Sequence, residues 1–235
     1  MALSPPPVVI VTGASRGIGA AAARWLGRAG AAVILVARSR GGLDRTAGDV
    51  RAAGGKAARR AADVADPRAA AAAVGLARRR FGRLDGLILN AGVLEPIARL
   101  AEASPRAWRR NLEVNLLAPF VWTRAALPLL RAARGRVVTV SSGAALKAVE
   151  GWSAYCAAKA GATHLMRVLA AEEPLVTALA LRPGVVDTAM QGRIRTRGGR
   201  GMTAERLAYF QGLKAQGRLR PPDEPGRVLA WLALA

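Results

Sequence analysis

A single α/β domain, a doubly wound parallel sheet with helices on both faces, is the fold class this sequence predicts, and three observations predict it. Short β-branched apolar runs alternate with longer Ala-, Leu- and Arg-rich stretches, as expected of successive βα units. The runs are apolar without a break, which suits parallel strands buried on both sides. The first run ends in a glycine-rich loop that opens a helical stretch, the head of a βαβ unit. At 235 residues the chain is long enough for one substantial core, within the range that such folds fill as one domain, residues 1–235.

Taken in order, Pro5, Pro6 and Pro7 form a stiff lead-in to the first strand, PVVIVTG at 7–13. Further strands are expected in AAVILVA (31–37), RLDGLILNAG (83–92), GRVVTVSSG (135–143) and VTALALRPG (176–184). KAARRAADV (56–64) is a weaker strand, because alanine blurs its alternation. Crossover helices are expected over 17–29, 43–53, 67–80, 106–132 and 153–172. The alanine run 69–73 favours the third of these. The chain stops at VLAWLALA, read as the end of a helix.

Composition excludes several classes of function. No uncharged apolar run approaches the roughly 18 residues that span a bilayer, and MALSPPPVVIVTG lacks the pattern of a signal peptide, so a cytoplasmic protein with no membrane partner is expected. One cysteine, Cys156, and one histidine, His164, argue against a disulfide framework or a Cys/His metal site. Neither is given a role: Cys156 is read as a small core-facing residue and His164 as half-buried, while Trp108 is read as packing. The formal charge of +21 invites a nucleic-acid reading. Yet only four of the cations are lysines and the arginines are scattered. The tightest cluster, Arg78–Arg80, reads as a helix end, where cations favour the dipole. Compositional bias is the preferred explanation, and no specific nucleic-acid partner is expected.

The loop TGASRGIG, residues 12–19, carries the first chemistry. Gly13 allows the tight turn, Gly17 lets the backbone approach a pyrophosphate, and Gly19 permits close packing of the helix whose N-terminus faces the phosphates. Ser15, Arg16 and Ile18 complete this cofactor loop. About twenty residues on, where an acid would hold the ribose of NAD, the chain reads VARS, placing Arg38 and Ser39 there. Arg38 and Arg16 suit a 2′-phosphate, so NADP(H) is the expected cofactor.

TGASRGIG, Asp63-Val64, NAG at 90–92, Asn115, the serines 141 and 142, YCAAK and PGVVDT occur in the order and spacing of the short-chain dehydrogenases/reductases. The chain resembles that Rossmann-like family over almost its whole length. GVLEPIA, GWSAYCAAKA, LAAEEP, RPGVVDTAMQ and LKAQGRL look closest to its sepiapterin reductase and benzil reductase branch. The resemblance implies that Asp63 and Val64 hold the adenine, Asn90 the cofactor ribose, and Val186 and Thr188 the carboxamide, with Ala91, Gly92, Pro183 and Gly184 also binding the cofactor. It implies that Asn115 positions a water and that Lys159 holds the nicotinamide ribose. It also implies a final strand after the last helix, which is expected to be missing here. Taken singly, Asp63 also reads as a cap of the helix after Pro67 or the closure of a turn.

Tyr155 and Lys159 stand four residues apart and share a helix face. An adjacent ammonium is expected to stabilise the phenolate and lower its pKa, fitting Tyr155 for general acid catalysis on a ketone oxygen. Ser142, at a strand end, is placed to hold the same oxygen. Segments 94–100, 145–152 and 185–195 are expected to surround a small-molecule carbonyl substrate, with Leu94, Trp152 and Met190 in an apolar pocket and 185–202 as a lid. Glu95 and Glu150 are candidate pterin anchors, because by the resemblance the acid that holds a pterin lies beyond residue 235. The reading is an NADPH-dependent carbonyl reductase of small apolar ketones or 1,2-diketones, expected as a homo-oligomer (dimer or tetramer). Alternatives are a 3-oxoacyl carrier-protein reductase, a pterin reductase, or a nucleic-acid-binding protein that has lost the chemistry; the intact catalytic set argues against the last.

Overall fold

The structure, a computed structural model, describes residues 5–235; the first four residues of the segment read for a signal peptide lie outside them. Six strands form one parallel sheet: β1 (Val8–Thr12), β2 (Ala32–Ala37), β3 (Lys56–Ala61), β4 (Gly86–Leu89), β5 (Arg136–Val140) and β6 (Thr177–Leu181). Their order across the sheet is β3-β2-β1-β4-β5-β6, with Val11 of β1 opposite Leu35 of β2 and Ile88 of β4. The connections run outward in opposite directions from β1 and β4. The loops that follow these two strands therefore diverge, leaving a crevice at their carboxyl ends where such folds bind ligands.

The continuous apolar runs have the expected cause. β1 and β2 are buried along their whole length because helices cover both faces. On one face α1 (Gly17–Arg28), α2 (Arg40–Ala52) and α9 (Asp223–Leu234) enclose Val9, Val11, Leu26, Leu35, Leu43, Val50 and Leu229. On the other, α3 (Pro67–Phe81), α5 (Ala118–Ala133) and α6 (Ser153–Glu172) close over Ile10, Ile34, Leu87, Trp122, Leu130 and Met166. β3 does form, as the sheet edge. Ala57 and Ala58 are its buried residues, and Arg59 and Arg60 are exposed, so its sequence pattern is weak. No strand follows α9 among the described residues, and β6 is the other edge.

The single helix expected over 106–132 is broken. α4 (Pro105–Leu112) passes through a π-helical turn, Glu113–Leu117, into α5. Pro119 has no N–H to give to the carbonyl of Asn115 four residues earlier, so a regular α-helical ladder cannot run through this point. Segment 185–202 is largely helical, as α7 (Ala189–Arg197) and a 3₁₀ turn, and is followed by α8 (Ala204–Ala215). His164 is exposed rather than half-buried, since it lies on the outer side of α6.

Candidate active site

α6 begins two residues before Tyr155, and its buried face carries Ala154, Tyr155, Ala158, Lys159 and Ala162. Small alanines between the two functional residues let this face press on the end of β5, leaving Tyr155 7% and Lys159 5% exposed. Lys159 Nζ donates to the Val140 carbonyl at 2.7 Å. It lies 5.6 Å from the Tyr155 ring centroid. Just past β5, Ser142 Oγ accepts a hydrogen bond from Ala144 N at 3.1 Å. Its own proton is left to point elsewhere.

The electrostatics correct one expectation. Burial pushes the Tyr155 phenol up to about 12, with the neighbouring Ser142 hydroxyl pulling the other way, instead of the ammonium lowering it. Burial brings Lys159 down to about 8. Desolvation penalises both charged forms, and by the pH at which the phenol ionises the lysine is already neutral.

Asn115 lies in the π-helical turn and is 1% exposed. Its Nδ2 donates to Val93 O at 2.8 Å and Asn111 Oδ1 at 2.8 Å, while Oδ1 accepts from Val93 N at 3.3 Å. A Cβ placed on Gly92 would fall 2.9 Å from Asn115 Oδ1 and 3.8 Å from Lys159 Nζ, so the side chains of Asn115 and Lys159 border one small space. Asn111, which sequence reasoning missed, is fully buried. Its Nδ2 faces three successive carbonyls, those of Val93, Leu94 and Glu95, at 3.3, 3.1 and 2.7 Å. It pins the segment after β4 against α4 and braces Asn115. The one available signal was its spacing, four residues before Asn115.

At the crevice, Gly13 and Gly17 have φ of +67° and +57°, conformations that favour glycine. Arg16 caps α1 with backbone alone, and no acid occupies the first turn, so helical N–H groups there have no side-chain partner. Thr188 reaches over this loop: a Cβ on Gly17 would meet its methyl carbon at 3.5 Å. Asn90 Nδ2 is spent on the Thr12 and Gly13 carbonyls at 2.9 and 3.3 Å, holding the glycine loop in place. Ser39 caps α2, its Oγ accepting from Gly42 N at 3.2 Å. A Cβ on Gly42 would lie 2.7 Å from that of Ser15, so the turns bearing Arg16 and Arg38 abut, and both arginines are exposed. Neither forms an ion pair among the described residues. An open helix N-terminus, with unpaired arginines on the adjoining turns, fits the phosphates of a nicotinamide dinucleotide.

Asp66, not Asp63, caps α3, accepting from Arg68 N at 3.0 Å. Asp63 closes the turn before it through Ala65 N, and its other oxygen is held by Arg110. Val64 presents its carbonyl to Trp122 Nε1 at 2.9 Å. Ile18 and Ala91 pack partly buried against the two faces of the sheet. Pro183 and Gly184 lead from β6 to Val186, whose strand-like segment pairs with Arg220 in an isolated parallel bridge.

Leu94, Trp152 and Met190 do converge, in an apolar cluster with Tyr155, Ile97, Ile194 and Met202. Phe210 and Leu213 of α8 complete it, so the cluster draws on residues beyond 202. Both candidate pterin anchors touch the α7–α8 segment: Glu95 Oε1 accepts from Arg193 Nη1 at 3.4 Å, and Glu150 Oε2 from Thr203 N at 3.0 Å. The Thr203 N–H, with Arg99 and Arg206 nearby, lowers the Glu150 pKa. No group of His, Cys, Asp or Glu that could hold a metal occurs among the described residues, and no helix there is long and apolar enough to cross a membrane.

The benzil reductase ((S)-benzoin forming) of Saccharomyces cerevisiae is 37% identical over 238 residues, which cover 97% of this chain and 90% of that protein. The solved KRED1-Pglu enzyme superimposes with a TM-score of 0.92 at 39% identity, covering 97% of this chain and 95% of its own. A metagenomic short-chain oxidoreductase solved in complex with NADP gives a TM-score of 0.79 at 33% identity, over 99% of this chain and 93% of its own. The sequence profile described as short chain dehydrogenase matches residues 7–198. Crevice, buried tyrosine–lysine pair and glycine loop thus sit within a match spanning most of the sequence, and the chain belongs to the short-chain dehydrogenase family of oxidoreductases.

Proposed function

We propose that the protein is an NADPH-dependent carbonyl reductase acting on small apolar ketones, aryl 1,2-diketones above all. The observation that carries this reading is a buried phenol beside Ser142 and Lys159, at the wall of an apolar cluster closed by α7 and α8. A bound nicotinamide dinucleotide supplies the hydride. The chain's own residues do the rest. Ser142 Oγ, which already accepts from Ala144 N, donates its proton in a hydrogen bond to the substrate oxygen. Tyr155 gives that oxygen a proton as charge builds on it. A phenol near 12 is still far more acidic than an alcohol, so this transfer is downhill in the reductive direction. The reverse reaction passes through the same groups with Tyr155 as phenolate base.

Arg16 and Arg38 support NADPH over NADH, and the NADP complex of the metagenomic relative agrees with this. Arg38→Asp removes a partner for a 2′-phosphate and offers an acceptor to a free 2′-hydroxyl. The ratio of kcat/KM with NADPH to that with NADH is expected to fall at least tenfold. Equal use of both coenzymes by the wild-type enzyme would refute the role of Arg38.

The substrate class rests on the apolar lining and on the yeast benzil reductase. Burying apolar surface contributes about 25 cal/mol per Å², so an aryl diketone is expected to be reduced with higher kcat/KM than diacetyl. Glu95 pairs with Arg193 and Glu150 accepts from Thr203 N, contacts that compete with anchoring a pterin, so benzil is expected to be preferred to sepiapterin as well. With the oxygen fixed between Ser142 and Tyr155, one enantiomer of the hydroxyketone should predominate. Initial rates of NADPH oxidation on a panel that includes a carrier-protein thioester, with chiral chromatography of the product, decide the matter. A preference for the thioester or for sepiapterin would reassign the substrate.

A further inference from the structure

Trp152 is buried, 6% exposed, at the entrance to α6. Its ring meets Tyr155 edge-on at 5.7 Å between centroids and stacks on Phe210 at 5.5 Å. Its backbone is fully engaged: N donates to Val149 O at 3.1 Å, O accepts from Cys156 N at 2.8 Å, and the residue forms an isolated bridge with Ala98. The indole Nε1 has no acceptor among the described residues. A buried donor without a partner carries a desolvation cost, and such groups in native proteins call for an explanation. The same fold pairs its other deeply buried indole, Trp122, with a carbonyl at 2.9 Å. Trp25, also unpaired at Nε1, is only partly buried on α1, beneath the guanidiniums of Arg28 and Arg227. Of three further orphaned polar atoms, Ser153 Oγ and Gln191 Nε2 belong to the segments that bound the Tyr155 cluster, and Thr123 Oγ1 lies on α5. Gln191 is 2% exposed and one residue from Met190.

Indole nitrogen is a donor only, so what completes this group is a hydrogen-bond acceptor, and the ring that carries it lies edge-on to the reacting phenol at 5.7 Å between centroids. We propose that the Trp152 N–H donates to the second oxygen of a vicinal dicarbonyl whose first oxygen is held by Ser142 and Tyr155. This rests on the reading of Tyr155 as proton donor and deepens it, making Trp152 a determinant of specificity for 1,2-diketones over monoketones. A monoketone leaves the indole unpaired. A diketone satisfies it and has its reacting face set by two fixed oxygens.

Two variants test this. Trp152→Phe keeps an aromatic ring against Phe210 and removes the N–H. Replacing Trp152 with benzothienylalanine keeps the bicyclic shape and puts sulfur in place of N–H, so stacking and folding are retained. With each, the ratio of kcat/KM for benzil to that for the matched monoketone deoxybenzoin is expected to fall roughly tenfold, the worth of one buried hydrogen bond. Losses of packing common to both ketones cancel in this ratio. An unchanged ratio in the benzothienyl protein overturns the proposal. Calorimetric titration of benzil and deoxybenzoin into NADP-saturated Tyr155→Phe protein, with and without the benzothienyl replacement, separates this proposal from the reading it rests on. If the wild-type enzyme reduces neither ketone, the functional reading fails, while a benzil-selective rise in Kd still supports the indole contact and equal Kd shifts overturn it.

Discussion

Tyr155→Phe is expected to lower turnover by roughly 10²- to 10⁴-fold, the usual worth of a positioned general acid, with NADPH binding retained. The substitution deletes one oxygen and keeps the ring that packs edge-on against Trp152, so the apolar cluster should hold. Nothing near the glycine loop changes. Deleting the phenol oxygen costs the neutral side chain only its contact with the Ser142 hydroxyl, so thermal stability should change little. The measurement pairs single-turnover rates with a fluorescence titration of NADPH. Near-normal turnover in a folded variant would remove Tyr155 from the chemistry.

The pH dependence of the wild-type enzyme follows from the order in which the two buried groups titrate. Tyr155, at about 12, remains protonated throughout the working range, so no decline in reduction near neutrality is owed to it. Lys159, at about 8, is the group that changes. Below that pH its ammonium faces the phenolate formed as Tyr155 gives up its proton, and above it that stabilisation is lost.

The same two groups show what the sequence could and could not reveal. Helical spacing placed Tyr155 and Lys159 on one face, and α6 spans the expected residues, because an alanine-rich amphipathic helix is encoded locally. How deeply that face is buried depends on β5 and on α7 and α8, elements distant in sequence, so the direction of the phenol shift is not legible in the local pattern. The alternation of strands and helices was legible because parallel strands buried on both sides need continuous apolar runs. The break at Asn115 had a local cause in Pro119, but the Leu- and Ala-rich surroundings concealed it. α8 had a signal in Leu207, Phe210 and Leu213, apolar residues at intervals of three, hidden behind the Gly- and Arg-rich stretch before it. The clamp of Arg110 on Asp63 joins residues 47 apart, and nothing in either local pattern announces it.

Lys159→Met should make the protein more stable near pH 7 and far less active, two effects with one cause. Lys159 is 5% exposed and has one hydrogen bond, to the Val140 carbonyl at 2.7 Å, a poor exchange for an ammonium's hydration. Its folded-state pKa of about 8 lies below the ordinary lysine value of 10.5. Between those values the unfolded chain binds the extra proton, so the wild-type protein gains stability as pH rises through that window. Methionine of similar length has no such proton, so its advantage should be greatest below pH 8 and shrink towards pH 10. Chemical denaturation of both proteins at pH 7 and at pH 9.5 reads this difference directly, and the constant cost of stranding the Val140 carbonyl cancels in it. Turnover at pH 7 should fall by roughly two orders of magnitude, as when a charge aimed at developing anionic character is removed. The decline in wild-type rate above pH 8 should be missing from what remains. A variant whose residual activity keeps that decline would show that another group titrates there, and a stability difference independent of pH would show that Lys159 is not buried as a charge.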